Sequence, residues 1–271
     1  MSEWNAMTFE GKDTILRVVR EQADAMFGLI EDPATWEQPT ACEGWTTRDV
    51  VGHIVDTTEG YFRAFEAARG ERDDVPPHGL TVMAELANEG ATSFRSQSQA
   101  EMVQRLHDDF EKMQGILQPL GAEDWTGMMV THAYMGPVPA FFFAAGQLMD
   151  YGVHTWDLRE GRGQVHALNG DVADLLVPFM FALWQGTCRA ETVTEPFDIG
   201  IRVGGRNGGD YRVSVSNEGM TYGLGEIDDL PALIEFDAAS LVLRTYNRMN
   251  SGTVRGDHAL AERYLNLFFA I

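Results

Sequence analysis

Cysteine and lysine are both scarce in this chain of 271 residues: two cysteines, Cys42 and Cys188, and two lysines, Lys12 and Lys112. Neither cysteine has a C-x-x-C partner, which excludes a structural zinc knuckle, and two such distant thiols are expected to stay reduced in a cytosolic setting. Positive charge is short overall, with 20 basic residues against 41 acidic ones and a net charge of −21. A phosphate backbone and an anionic membrane surface would both be repelled, so nucleic-acid and membrane partners are disfavoured. No apolar run reaches membrane-spanning length; the best stretches, 139–148 and 175–184, are too short. The first five residues lack the basic and apolar regions of a signal peptide, so a cytoplasmic protein is the expectation. The basic residues present are nearly all arginine, a bias that suits carboxylate binding or simply tracks a GC-rich genome.

What the chain does have is apolar content, 44% of residues, and enough length for two domains. Helical apolar spacing covers 14–30, then about 47–69, 80–94, 100–120 and 140–159. Thr46 or Thr47 can cap the second of these, with Asp49 in its first turn. A loop holding Trp125, His132, Tyr134, Gly136 and Pro137 precedes the 140–159 helix. Four long helices and a shorter one predict an up-and-down bundle, a scaffold that commonly builds metal sites from inward-facing side chains. After Gly163 the pattern changes. A helix over 171–186 leads into period-two stretches at 197–203 and 211–215, with Asn207-Gly208-Gly209-Asp210 as the turn between them. Further strands are expected at 220–224 and 233–236, with helices over 238–247 and 257–269. The fold class is therefore α+β: a helical bundle over 1–163 and a small α+β domain over 164–271.

Asp150 and His154 stand four apart in a heavily apolar helix, so both project from one face. His53 lies on the second predicted helix. Two imidazoles and a carboxylate converging between helices would hold a divalent metal with positions left open. The spacing alone better suits a plain internal Asp–His ion pair or hydrogen bond, because a buried carboxylate beside a buried histidine needs a partner. Asp56 and Asp157, each three residues after a histidine, are candidates to receive the other ring N–H. Cys42 reads as a small apolar residue packed under the Trp45 loop. His78, His107, His166 and His258 read as surface residues.

The run 42–54, Cys-Glu-Gly-Trp-Thr-Thr-Arg-Asp-Val-Val-Gly-His-Ile, resembles the signature of the mycothiol-dependent maleylpyruvate isomerase family, part of the DinB-like group of metal-binding bundles. A second signature, acid-x-x-x-His-x-Trp-Asp-Leu, stands at 150–158, with Asp150 where the family usually has Glu. The last hundred residues resemble the sterol-carrier-like domain that follows the bundle, with Tyr246-Asn247-Arg248 and Val254-Arg255-Gly256-Asp257 matching its Gly-Arg and Gly-Asp elements; Asn247 replaces the Gly. The resemblance implies His53, Asp150 and His154 as ligands of a divalent metal, zinc foremost, and Arg248 as the arginine that reaches a substrate carboxylate. It also implies mycothiol as the thiol cosubstrate, activated for attack on a small electrophile in an isomerisation or S-transfer. No counterpart of the family's second substrate arginine stands out; Arg69 and Arg72 lie in a plausible loop. A monomer or small homo-oligomer is expected. The competing readings are a non-haem iron enzyme on the same two-histidine, one-carboxylate set, a metal-activated hydrolase, and a non-catalytic binder of small ligands.

Overall fold

A computed structural model describes residues 3–271. It divides into two units, Met1–Leu168 and Asn169–Ile271. The change falls a few residues after the predicted point. The His166 ring packs at a tilt against Trp156 with centroids 5.2 Å apart, which keeps this segment with the first unit. Asn169 opens the second by capping a helix, its side chain accepting from the amides of Asp171 and Val172.

The first unit is a helical bundle. Its helices are α1 (Lys12–Ile30), α2 (Thr47–Ala68), α3 (Met83–Ser93), α4 (Gln99–Leu117), α5 (Ala122–Gly127) and α6 (Phe141–Glu160). Asp49 accepts from the Thr46 amide and hydroxyl at 2.9 and 3.0 Å, closing the start of α2. Arg95 then grips the same carboxylate through two bonds of 2.7 and 3.0 Å. Burial works to raise Asp49, but the bonds from Arg95 and Thr46 outweigh it and hold the carboxyl below its ordinary range.

α2 and α6 meet in antiparallel order. His53 faces Asp150, Thr58 accepts from Gln147 at 3.0 Å, and Tyr61 packs edge-on to Phe143 at 4.9 Å. Phe143, Gln147, Asp150 and His154 follow a 4-3-4 spacing, the stripe of one helix face. Phe65, Phe143, Phe110, Tyr151 and Trp125 fill the interior. Between α5 and α6 lies a hairpin, β1 (Met129–His132) and β2 (Gly136–Pro139), paired from Met129↔Pro139 to His132↔Gly136. The sequence pattern reads this stretch as loop. Two prolines in β2 weaken its strand signal, and the six residues of α5 are too few to show a helical period.

The second unit begins with α7 (Gly170–Thr187) and continues with β3 (Phe197–Val203), β4 (Gly209–Ser216), β5 (Gly219–Leu224), β6 (Ala232–Phe236), α8 (Ala238–Thr245), β7 (Thr253–Gly256) and α9 (His258–Leu265). The strands form one sheet of order β5-β4-β3-β6-β7, in which only the β3–β6 pair is parallel. Gly209 and Asp210 belong to β4 rather than to the turn, because Asp210 sits opposite Arg202 and takes two bonds from it, 2.8 and 2.9 Å. The edge strand β7 escapes sequence reading, being four residues ending on a left-handed glycine, Gly256.

The end of α8 explains a departure noted above. The amide of Asn247 bonds to the Arg244 carbonyl at 3.0 Å and that of Arg248 to Leu243 at 2.8 Å, a Schellman close. Its C′ residue must be left-handed, and Asn247 has φ 54. Asparagine tolerates this region where most side chains do not. Asn247→Gly is expected to leave stability within about 0.5 kcal/mol, and Asn247→Ala to lose about 1 kcal/mol; urea denaturation of both variants checks this.

Candidate metal centre

The three predicted ligands come together. His53 Nε2 lies 3.6 Å from Asp150 Oδ1, and the rings of His53 and His154 cross nearly at right angles with centroids 5.1 Å apart. One ligand atom from each of the three lies within 4.8 Å of the others. All three side chains are largely buried, 17% exposed or less. Asp150 Oδ2 is buried without a hydrogen-bond partner, a costly state for a carboxylate oxygen in a protein interior. A bound cation would satisfy it. At metal–ligand distances of about 2.0–2.1 Å and tetrahedral angles, neighbouring ligand atoms stand roughly 3.3 Å apart. The His53–Asp150 spacing needs only a small inward movement to reach that figure.

A second layer surrounds these groups. Asp157 Oδ2 lies 2.8 Å from His154 Nδ1, so any ion held by this ring would bind at Nε2. Of the two carboxylates considered from sequence, Asp157 thus meets its histidine. Asp56 does not bond to His53 and lies instead against Gly90 of α3, where a Cβ would come within 2.3 Å of its Oδ2. Trp45 faces both imidazoles, with ring centroids 5.2 Å from His53 and 6.2 Å from His154, and its indole N–H donates to Asn88 at 3.0 Å.

Two assignments made from sequence need correction. Cys42 is not a mere apolar filler: its Sγ lies 3.1 Å from Asp157 Oδ2 and 3.7 Å from His154 Nδ1. Nothing local in sequence could have revealed this, since the partners are more than a hundred residues away. His166 is not a surface residue either, as its side chain is only 6% exposed, against Trp156 and 3.1 Å from Glu160. His107 lies flat on Phe27 at 3.6 Å.

His132, on the hairpin, is a further polar group in the stripe's neighbourhood. Its ring is 5.9 Å from both Tyr61 and Phe143. Burial pulls it down to about 4 against the opposing charge of Asp150, so it is neutral near pH 7. Its Nδ1 accepts from the amides of Tyr134 and Met135, both at 3.3 Å, which puts the proton on Nε2.

Arg248 lies in the second unit and donates to the Tyr246 carbonyl at 2.8 Å. Arg69 sits over the Phe65 ring at 5.9 Å and Arg72 is 3.4 Å from Glu66. Among the described residues no helix is long and apolar enough to cross a membrane.

The imidazole–carboxylate cluster between two antiparallel helices marks a helical-bundle protein, followed in the chain by a mixed α+β unit. The family described as the mycothiol maleylpyruvate isomerase N-terminal domain matches residues 16–159. That span exceeds half the chain, and the protein belongs to this family. The crystal structure of the mycothiol-dependent maleylpyruvate isomerase matches with a TM-score of 0.62 at 14% identity, covering 92% of this chain and 96% of that one. The crystal structure of a histidine-to-alanine mutant of that enzyme matches with the same TM-score and coverage at 13% identity. At these identities the likeness speaks to the fold. No curated protein matches the chain.

Proposed function

We propose that this protein is a mycothiol-dependent metalloenzyme of the isomerase or S-transferase kind. In this reading His53, Asp150 and His154 hold one divalent ion, zinc foremost. The observation that carries it is the convergence of these three side chains at near-coordination spacing around a buried carboxylate oxygen that lacks any other partner. A divalent ion held there would lower the pKa of a thiol and favour the thiolate, the form that attacks an electrophilic carbon.

The chain's own residues supply the rest. Asp157 orients His154, and the Trp45 ring shields one side of the cluster from water. Arg248 would bind a substrate carboxylate through its planar fork of donors. We read the second unit as the sterol-carrier-like domain of such enzymes, with Arg248 placed by the Schellman close of α8. A cytoplasmic setting goes with this reading, since it keeps a low-molecular-weight thiol reduced.

The test is elemental analysis of the purified protein, followed by calorimetric titration with mycothiol before and after complete chelation. Stoichiometric zinc is expected, with thiol binding that vanishes on chelation and returns with added zinc. Thiol binding that survives metal removal would sink direct activation at this centre. Iron with oxygen-dependent turnover would favour the non-haem iron alternative on the same ligands.

A further inference from the structure

The cluster at His154 has two sides, and their spacings differ in kind. On the side of His53 the nitrogen–oxygen separation is 3.6 Å. On the other side Cys42, Asp157 and His154 also form a group whose donor atoms lie within 4.8 Å of one another. Here, however, Asp157 Oδ2 is 2.8 Å from His154 Nδ1 and 3.1 Å from Cys42 Sγ. A tetrahedral ion with bonds of about 2.0–2.1 Å to N and O and 2.3 Å to S would hold those pairs roughly 3.3 and 3.5 Å apart. The observed contacts are shorter and match hydrogen bonds. A proton, not a metal, belongs between these atoms.

We propose that Cys42 is a positioning residue for His154, acting through Asp157. The thiol donates its S–H to Asp157 Oδ2, the same oxygen that receives His154 Nδ1–H. A carboxylate with one oxygen pinned by two donors, from opposite parts of the chain, has little freedom to rotate. The imidazole it holds is thereby fixed in tautomer and ring plane, with Nε2 directed to coordination. This inference rests on the metal reading above.

The backbone is built to deliver the thiol there. Thr40 Oγ1 accepts from the Cys42 amide at 3.1 Å, and the Trp45 amide returns to the Cys42 carbonyl at 3.0 Å. Gly44, with φ 79, makes that return a tight turn of type II. The Ala41 amide bonds to the Asp157 carbonyl at 3.0 Å, docking the loop on α6 beside the side chain that Cys42 reaches. A glycine at 161 is needed for this approach, because a Cβ there would lie 2.3 Å from the Pro39 carbonyl oxygen. One turn therefore sets Trp45 against the ligand rings and Cys42 against their support.

The experiment compares Cys42→Ser, which keeps a donor, with Cys42→Val, which keeps apolar volume and loses it. Zinc affinity is measured on the full chain by chelator competition, with urea unfolding of the metal-free proteins as the fold control. Cys42→Val is expected to weaken zinc binding about tenfold, the usual cost of losing an outer-shell partner, and Cys42→Ser to stay near wild type. Cys42→Ala, lacking both donor and volume, is expected to follow Cys42→Val, and serves if the valine fails to fold. The opposite order, with valine near wild type and serine weak, would mean packing alone and would overturn the proposal. Equal affinity in all variants would overturn it too. In the cobalt-substituted protein, a thiolate-to-cobalt charge-transfer band lost in Cys42→Ser would make Cys42 a direct ligand and overturn it differently. A wild-type protein that binds no metal would instead refute the metal centre itself, and this role with it.

Discussion

Asp150→Asn is expected to abolish metal-dependent stabilisation while leaving the metal-free protein at least as stable as wild type. Two opposite effects arise from one atom. With metal at a thousand times Kd, a folded-state site adds about 4 kcal/mol to folding stability. An amide in place of the carboxylate is a poor ligand, and its loss of affinity should exceed the 10–100-fold typical of outer-shell partners; a thousandfold loss would cut the increment to about 0.4 kcal/mol. In the metal-free protein the buried Asp150 Oδ2 lacks a hydrogen-bond partner, and a neutral amide at that position costs less to bury than a carboxylate. Urea unfolding with and without zinc measures both. His53→Ala should lose the zinc increment as well, whereas His107→Ala, remote from the cluster and stacked on Phe27, should keep it. A full zinc increment in Asp150→Asn would show that the ion, if any, binds elsewhere.

Asp109→Asn is expected to stabilise the protein by about 1–3 kcal/mol at pH 7.5 and by almost nothing at pH 4. Asp109 lies on α4, buried, with Oδ2 unpartnered. Burial first and the Glu59 charge second raise it from 3.8 to about 6, while Arg105 and Lys112 pull the other way. The sign follows from linkage. A carboxyl that binds its proton more tightly when folded favours folding at low pH. That advantage fades as pH rises from about 4 to about 6, and above this the folded state carries the whole cost of the buried charge. Asparagine removes the titration, so the difference between variant and wild type should open across that window. Urea midpoints at pH 4, 5, 6 and 7.5 check it; parallel curves for the two proteins would refute the assignment.

The helices of the bundle could be read from sequence because their periods are local. Residues 47–68 show their cap at Thr46–Asp49 and their apolar face within their own length, and 141–160, which have no side-chain cap, show instead a long, mostly apolar run free of proline. The strands β3 and β4 announced themselves by alternation for the same reason. Short elements divide: β5 and β6, six and five residues, still show apolar strand runs, whereas β2 carries two prolines, β7 ends on a left-handed glycine and α5 is too short for a helical period. They form because neighbours pair with them, as β7 does with β6. The Asn247 position was noticed in sequence only as a departure from a family pattern. Its left-handed backbone explains why the departure is tolerated.

The ligand set shows the same division. Asp150 and His154 share a face by helical geometry alone, and the sequence by itself determined that much, together with the family and the α+β order. Whether His53 joined them, whether Asp56 or Asp157 turned toward its histidine, and that Cys42 closes on Asp157 across 115 residues were decided by packing of α2 and the 39–45 loop against α6. A side chain's direction within a helix depends on residues next to it. Its partner across a core depends on how whole elements bury their apolar faces, which no short stretch of sequence specifies.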